Sequence, residues 1–202
     1  MVKSTFFDII DTAWPTLVIF LTVIILLRIM YLKQNKKKFV FHEELILLLF
    51  VTYILLLFEL VTIRDVEFGG INWMPFREIL RYEFGTDLFY RQVIGNIILF
   101  IPFGYFATYY AKLTKIRHIF FITFITSTTI EVVQRFIGRS FDVDDIILNV
   151  VGGIIGFLLF IGLDAIRKKL PKIFQNDLFY NILAIVLLAL IIIYLFGTVR
   201  IG

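Results

Sequence analysis

Residues 131–149 read EVVQRFIGRSFDVDDIILN, which places four acids, two arginines, a Gln and an Asn inside a chain otherwise dominated by Ile, Leu, Val and Phe. How this stretch is accommodated decides the fold. Sixty per cent of the 202 residues are hydrophobic and the mean hydropathy is +0.93, well above a soluble domain, so the bulk solvent of the chain is a bilayer. Scanning for runs of about 20 mainly apolar residues gives six spans, at 13–32, 44–63, 91–111, 119–137, 145–163 and 179–197. In lipid each span must satisfy its own backbone, and the ten-residue alternation of a membrane β-barrel is absent. The expected fold is therefore all-α: a polytopic transmembrane bundle of about six spans forming one membrane domain over 1–202, with the first run retained rather than removed as a signal peptide.

Nine of the ten lysines fall on one set of loops and the amino-terminal Lys3 alone on the other, which puts the lysine side in the cytoplasm and both termini outside. The external face then carries Arg64, Arg77, Arg81, Arg91, Arg135 and Arg139. A guanidinium is a planar fork suited to carboxylate and phosphate and tolerates partial desolvation better than an ammonium. The arginine bias thus points to a structured anion site. The competing reading pairs these arginines with Asp65, Glu67, Glu78, Glu83, Asp87 and the acids after 140.

Glu131 lies twelve residues into its span, about 18 Å along a hydrocarbon core of about 30 Å. An acid at that depth costs about 2.5–3.5 kcal/mol on insertion scales, so it faces the bundle or a wet cavity and has partners. Gln134 and Arg135 follow at i+3 and i+4, the first to hydrogen-bond and the second to neutralise. Asp145, Asn149, Gly152 and Gly156 form a second stripe, polar at one end and small further in, where Gly152 and Gly156 allow close helix approach. Gln92 and Asn96 at i+4 precede Pro102, and Thr52, Glu59 and Thr62 share a face of the second span.

The longest loop, the 27 residues from Arg64 to Tyr90, contains NWMPFREILRYEF at 72–84. Pro75 suits a first helical turn with Asn72 or a neighbour as cap, and Phe76, Ile79, Leu80 and Phe84 share a face with Arg77 and Arg81 opposite. This predicts an external interfacial amphipathic helix anchored by Trp73 and Phe76. Arg77 and Arg81 would be bridged by a lipid phosphate, or Glu78 would take Arg81.

The chemistry available is narrow. There is no cysteine, and both histidines, His42 and His118, fall on the cytoplasmic side, which leaves Ser140 as the serine near the cluster without a His partner. P-loop, dinucleotide and H-E-x-x-H signatures are absent. Candidate catalytic groups are Glu131, Asp142 and Asp145, and Asp142, Asp144 and Asp145 are weak candidates for a divalent cation, with Arg135 and Arg139 competing for the same oxygens. No cofactor is expected. Candidate ligand-binding residues are Arg77, Arg81, Arg135, Arg139, Gln134, Asn149, Asn96, Asn72 and Glu59.

Across about 64–163 the chain resembles the VanZ-like family of bacterial membrane proteins. The likeness rests on N-x-x-P-F at Asn72, Pro75 and Phe76, on GNIILFIPFG from Gly95 to Gly104, and on Glu131 and Gln134 followed by GRSFDVDDIILNVVGG. The first and last spans flank the matching region. The family pattern carries over to Asn72, Pro75, Phe76, Asn96, Pro102, Gly104, Glu131, Gln134, Arg139, Asp142, Asp145, Asn149 and Gly152. The resemblance implies the bacterial plasma membrane, the cell envelope, and tolerance of glycopeptide and lipoglycopeptide antibiotics such as teicoplanin. Besides a scaffold whose charges only lock the bundle, two functional readings stay open. One is a binding module for a membrane lipid, a lipid-linked cell-wall precursor or the glycopeptide itself, without nucleic acid. The other is a carboxylate- or metal-dependent membrane enzyme acting on a lipid-linked envelope substrate.

Overall fold

A computed structural model describes residues 2–63 and 70–199, with side chains over 13–60, 70–191 and 193. Arg64, Asp65 and Glu67, and the side chain of Thr62, lie outside the described residues. In chain order the elements are α1 (Val2–Gln34), α2 (Phe41–Ile63), β1 (Ile71–Asn72), α3 (Arg77–Arg81), α4 (Asp87–Phe89), a π-helix (Tyr90–Ile94), α5 (Gly95–Ala111), α6 (Ile116–Phe136), β2 (Phe141–Asp142), α7 (Val143–Lys169), a 3₁₀ turn (Lys172–Phe174) and α8 (Asp177–Val199). All six apolar runs are helical. Four described stretches are long and apolar enough to cross a membrane: Ala13–Gln34, Asp87–Ala111, Ile116–Phe136 and Val143–Lys169. The chain divides into two compact units, Met1–Ala13 with Ile54–Leu163, and Trp14–Tyr53 with Asp164–Gly202.

The first unit is built around α7. Of its span 44 % is buried, against 28 % for Asp87–Ala111 and 22 % for α6, so α7 is the helix the others cover. The cover is close because the contact surface is glycine. A Cβ on Gly152 would fall on the carbonyl oxygen of Ile97, one on Gly156 on that of Ile101, and one on Gly104 on that of Gly153. On the α6 side, a Cβ on Gly153 would meet the Thr123 hydroxyl. The Gly152 and Gly156 pattern thus works as expected between α5 and α7, where van der Waals contact must replace a hydrophobic driving force. Phe100 and Phe103 of α5, Ile119 of α6 and Phe157 of α7 are buried in this unit, and Phe141, Ile146 and Val150 form a small core under β2.

Two local features differ from the expected pattern. The Asp87–Ala111 span opens with α4, capped by Thr86, whose Oγ1 accepts from the Phe89 N–H at 3.2 Å, and continues through a full π-turn at Tyr90–Ile94. A π-turn absorbs one surplus residue, so Gln92 and Asn96 do not keep α-helical i+4 spacing. The expected amphipathic helix at 75–84 is only the five residues of α3. Phe76 before it has a left-handed backbone (φ 66°), a conformation that costs a bulky residue about 1–2 kcal/mol and blocks helix propagation from Pro75. At the other end Tyr82 is extended (φ −85°, ψ 121°), so Phe84 lies beyond the helix.

In the second unit the Arg28 guanidinium meets Glu44 twice, Nε to Oε2 at 2.8 Å and Nη2 to Oε1 at 3.1 Å, and also lies over the Tyr31 ring. Arg28, an arginine within an apolar span, is thereby neutralised by the buried Glu44. Asn181 Oδ1 accepts from the His42 backbone N–H at 2.9 Å and lies 2.9 Å from His42 Nδ1, joining the start of α2 to α8. Thr52 donates to the Leu48 carbonyl of its own helix at 2.8 Å, so its hydroxyl is satisfied locally and not by another span.

Candidate functional site

The stretch 131–149 is where α6 ends, turns and re-enters as α7, and Gly138 makes the turn. With φ +91° it allows the Arg139 N–H to reach the Gln134 carbonyl at 2.9 Å and its own N–H the Arg135 carbonyl at 3.2 Å, the Schellman closure of a helix. This folds Arg139 back over the last turn of α6. Glu131 on that turn is 2 % exposed, and its Oε2 accepts the backbone N–H of Asp142 at 2.9 Å. The Gln134 amide lies between Glu131 and Arg139. In the orientation that satisfies both neighbours, Nε2 donates to Glu131 Oε1 at 2.9 Å and Oε1 accepts from Arg139 Nη1 at 2.7 Å. Arg135, expected to neutralise Glu131, is exposed, and the Arg139 guanidinium reaches the Glu131–Gln134 pair.

Beside Glu131, β1 and β2 pair in parallel, Ile71 with Phe141 and Asn72 with Asp142. Asn72 Nδ2 donates to Asp142 Oδ1 at 2.9 Å, and the same oxygen accepts the Asp144 N–H at 2.8 Å. Burial holds the Asp142 carboxyl above the ordinary carboxylate range, against the pull of those two donors. The Tyr82 phenol is also pushed up, first by burial and then by the nearby Glu78.

Asp144 has a different task from the one its sequence neighbours suggest. It is 1 % exposed, and its carboxylate takes three backbone N–H groups from the external segment: Phe76 at 2.5 Å, Glu78 at 2.7 Å and Ile79 at 3.1 Å. It caps α3 from 65 or more residues away, the role expected of Asn72 or a neighbour; Asn72 instead accepts the Met74 N–H at 3.2 Å in an Asx turn. Both Asp144 oxygens being engaged by N–H donors, the group does not suit a cation. Among the described residues, no group of three or more His, Asp or Glu side chains is arranged to hold a metal ion.

Deeper along α7, Asp145 accepts from Asn96 Nδ2, and Asn149 Nδ2 donates to Ser127 Oγ at 2.8 Å. Ser127 is fully buried on α6 and replaces Ser140 as the serine of the cluster. It was legible as one member of Thr123, Ser127 and Glu131, spaced by four on a single helix face. His118 precedes Ser127 by nine residues of the same helix, roughly 13 Å along its axis, so Ser127 has no histidine from α6. Of the remaining candidates, Arg77 and Arg81 are exposed on α3, Arg81 pairing with Glu78 at 3.2 Å, and Glu59 is half-buried on α2.

One end of this unit therefore gathers Asn72, Glu131, Gln134, Arg139, Asp142, Asp144, Asp145 and Asn96 from four separate segments. The comparisons with known proteins cover the same region. A family model described as VanZ/LLP1 matches residues 39–167. Protein VanZ of Enterococcus faecium is 30 % identical over 146 residues, 71 % of this chain and 84 % of that protein. No solved structure matches.

Proposed function

The chain belongs to the VanZ/LLP1 family, and from that premise we propose that it is a bacterial membrane protein contributing to teicoplanin tolerance by engaging an anionic envelope molecule at an arginine-bearing rim. The rim faces the outer leaflet, the orientation to which the lysine bias points. One observation carries the reading. Asp144 fastens the segment bearing Arg77 and Arg81 to the start of α7, while Gln134 fastens Arg139 to Glu131 on the adjoining helix.

The acids of this rim are spent as acceptors. Asp144 takes three backbone N–H groups, Glu131 takes the Asp142 N–H and the Gln134 amide, and Asp142 takes Asn72 and Asp144. Carboxylates so occupied are poor cation ligands, which favours binding over the metal-dependent enzyme. Exposed guanidinium groups mounted on a braced segment suit the phosphate of a lipid or lipid-linked wall precursor, or the carboxylates of a glycopeptide.

The test is teicoplanin susceptibility of cells expressing Arg139→Lys, Glu131→Gln or the double variant Arg77→Ala/Arg81→Ala at matched membrane level. Arg139→Lys keeps the charge and removes the fork, so loss of tolerance there reports geometry. The expected result is susceptibility approaching that of cells without the protein for all three. Wild-type tolerance in all three overturns the proposal.

A further inference from the structure

The segment between β1 and the π-turn turns its apolar side chains outward. Trp73 is 69 % exposed, Leu80 82 % and Phe84 81 %, with Met74, Phe76 and Leu88 also more than half exposed. An outward cluster of large apolar groups needs a partner, and its position defines which one. Phe84 lies three residues before Asp87, where one helix long enough to cross a membrane begins. The N–H groups of Phe76, Glu78 and Ile79 are held by Asp144 in the first turn of another. The segment is thus pinned at both ends to the mouths of two spans and cannot lift away from the plane where they enter the bilayer.

Charge separates two ways of sitting there. Residues 70–91 contain Arg77, Arg81 and Arg91 against Glu78, Glu83 and Asp87, three positive and three negative, a net of zero. Such a segment gains little from an anionic surface compared with a basic amphipathic helix. Its aromatic content matches what the interfacial layer favours: Trp73 packs one face on Phe141 at 4.7 Å between centroids, and Phe84 and Tyr90 flank Phe89.

We infer that residues 71–90 are a membrane-seated cap, inserted by Trp73, Phe76, Leu80 and Phe84 into the headgroup layer of the bilayer that the spans cross, by apolar contact and not by attraction to anionic lipid. The arginines of the cap then lie among headgroups, and a ligand reaches them along the membrane plane. This inference stands apart from the anion-binding reading and survives its failure.

The chain has two tryptophans, Trp14 and Trp73, so Trp14→Phe leaves Trp73 as the sole reporter. The full-length variant is placed, one copy per disc, in nanodiscs of phosphatidylcholine brominated at the upper acyl carbons. Trp73 emission is expected to fall roughly two-fold relative to unbrominated lipid, to be shielded from aqueous iodide, and to be unchanged when part of the lipid is phosphatidylglycerol. Adding Leu80→Asp and Phe84→Asp is expected to restore iodide access while the helical circular dichroism stays unchanged. Four results each overturn the inference: full iodide access without bromolipid quenching, quenching that requires phosphatidylglycerol, shielding seen only in discs holding two copies, or no response to the paired aspartates.

Discussion

Asp144→Ala removes the one carboxylate that accepts from Phe76, Glu78 and Ile79, at 2.5, 2.7 and 3.1 Å. Hydrogen bonds to a charged group are worth about 1.5–3 kcal/mol each, and the loss of a helix cap about 1 kcal/mol, but contributions within one network do not add fully. The left-handed Phe76, held in place by the first of these bonds, returns about 1–2 kcal/mol when released. The net expectation is a local destabilisation of about 3 kcal/mol confined to the cap. At 1.4 kcal/mol per decade this speeds amide exchange of Phe76, Glu78 and Ile79 by roughly a hundred-fold, provided they exchange by local opening. Hydrogen exchange read on peptides covering 72–82 is the assay, with peptides from α6 and from 150–163 as internal controls. Asp144→Asn keeps one acceptor and turns an amide NH2 toward the remaining donors, so it should fall between the two. Wild-type exchange at 72–82 in Asp144→Ala, or equal acceleration in α6, refutes the assignment of Asp144 as the fastener.

Gly152→Ala should lower thermal stability in micelles and folded yield, because its Cβ meets the Ile97 carbonyl; the gain of about 1 kcal/mol in helix propensity is outweighed by about 1–3 kcal/mol of overpacking against backbone. Glu44→Ala leaves Arg28 without its bidentate acceptor and should cost about 2–3 kcal/mol, below the full range for a buried pair because Arg28 is partly exposed. The double variant Arg28→Met/Glu44→Met should recover most of that loss in the same melts. For Asp142, burial raises the folded carboxyl above 3.8, so its contribution to stability is complete below that value and is lost as pH rises through the folded value. Protection of the cap, its exchange relative to the intrinsic rate at each pH, should therefore rise on mild acidification of the wild type, and Asp142→Asn should remove that part of the pH dependence.

Much of the bundle was legible because lipid imposes a severe rule: a polar group in an apolar span must face inward and find a partner. Glu131, Asp145, Asn149 and the Gly152–Gly156 stripe were found that way: Asp145 and Asn149 bond across helices, the glycines close the gap to α5, and Glu131 holds the Asp142 N–H of β2. What escaped was the matching of partners across sequence distance. Arg135 follows Glu131 at i+4 on the same helix, whereas Arg139 lies beyond the helix end and returns to the pair only because Gly138 folds the chain back at that point. Asp144 lies among acids that resemble a cation cluster, and its true partners are backbone N–H groups 65 to 68 residues earlier, invisible to any pattern of side chains. The late start of α3 was hidden for a related reason, since the left-handed Phe76 sits where the tether holds its N–H and not where its own propensity would put it.

The π-turn at Tyr90–Ile94 means that the chain enters the Asp87–Ala111 span with one residue more than a regular helix would use. A surplus of one is a rotational offset of about 100° between the residues on the two sides of the turn. Deleting a residue there would leave Asn96 and Gly104 in register with α7 yet swing Leu88 and the cap behind it to another side of the helix. Chains built with and without this extra residue could thus share the same glycine-lined interior and still present their outer faces in different directions.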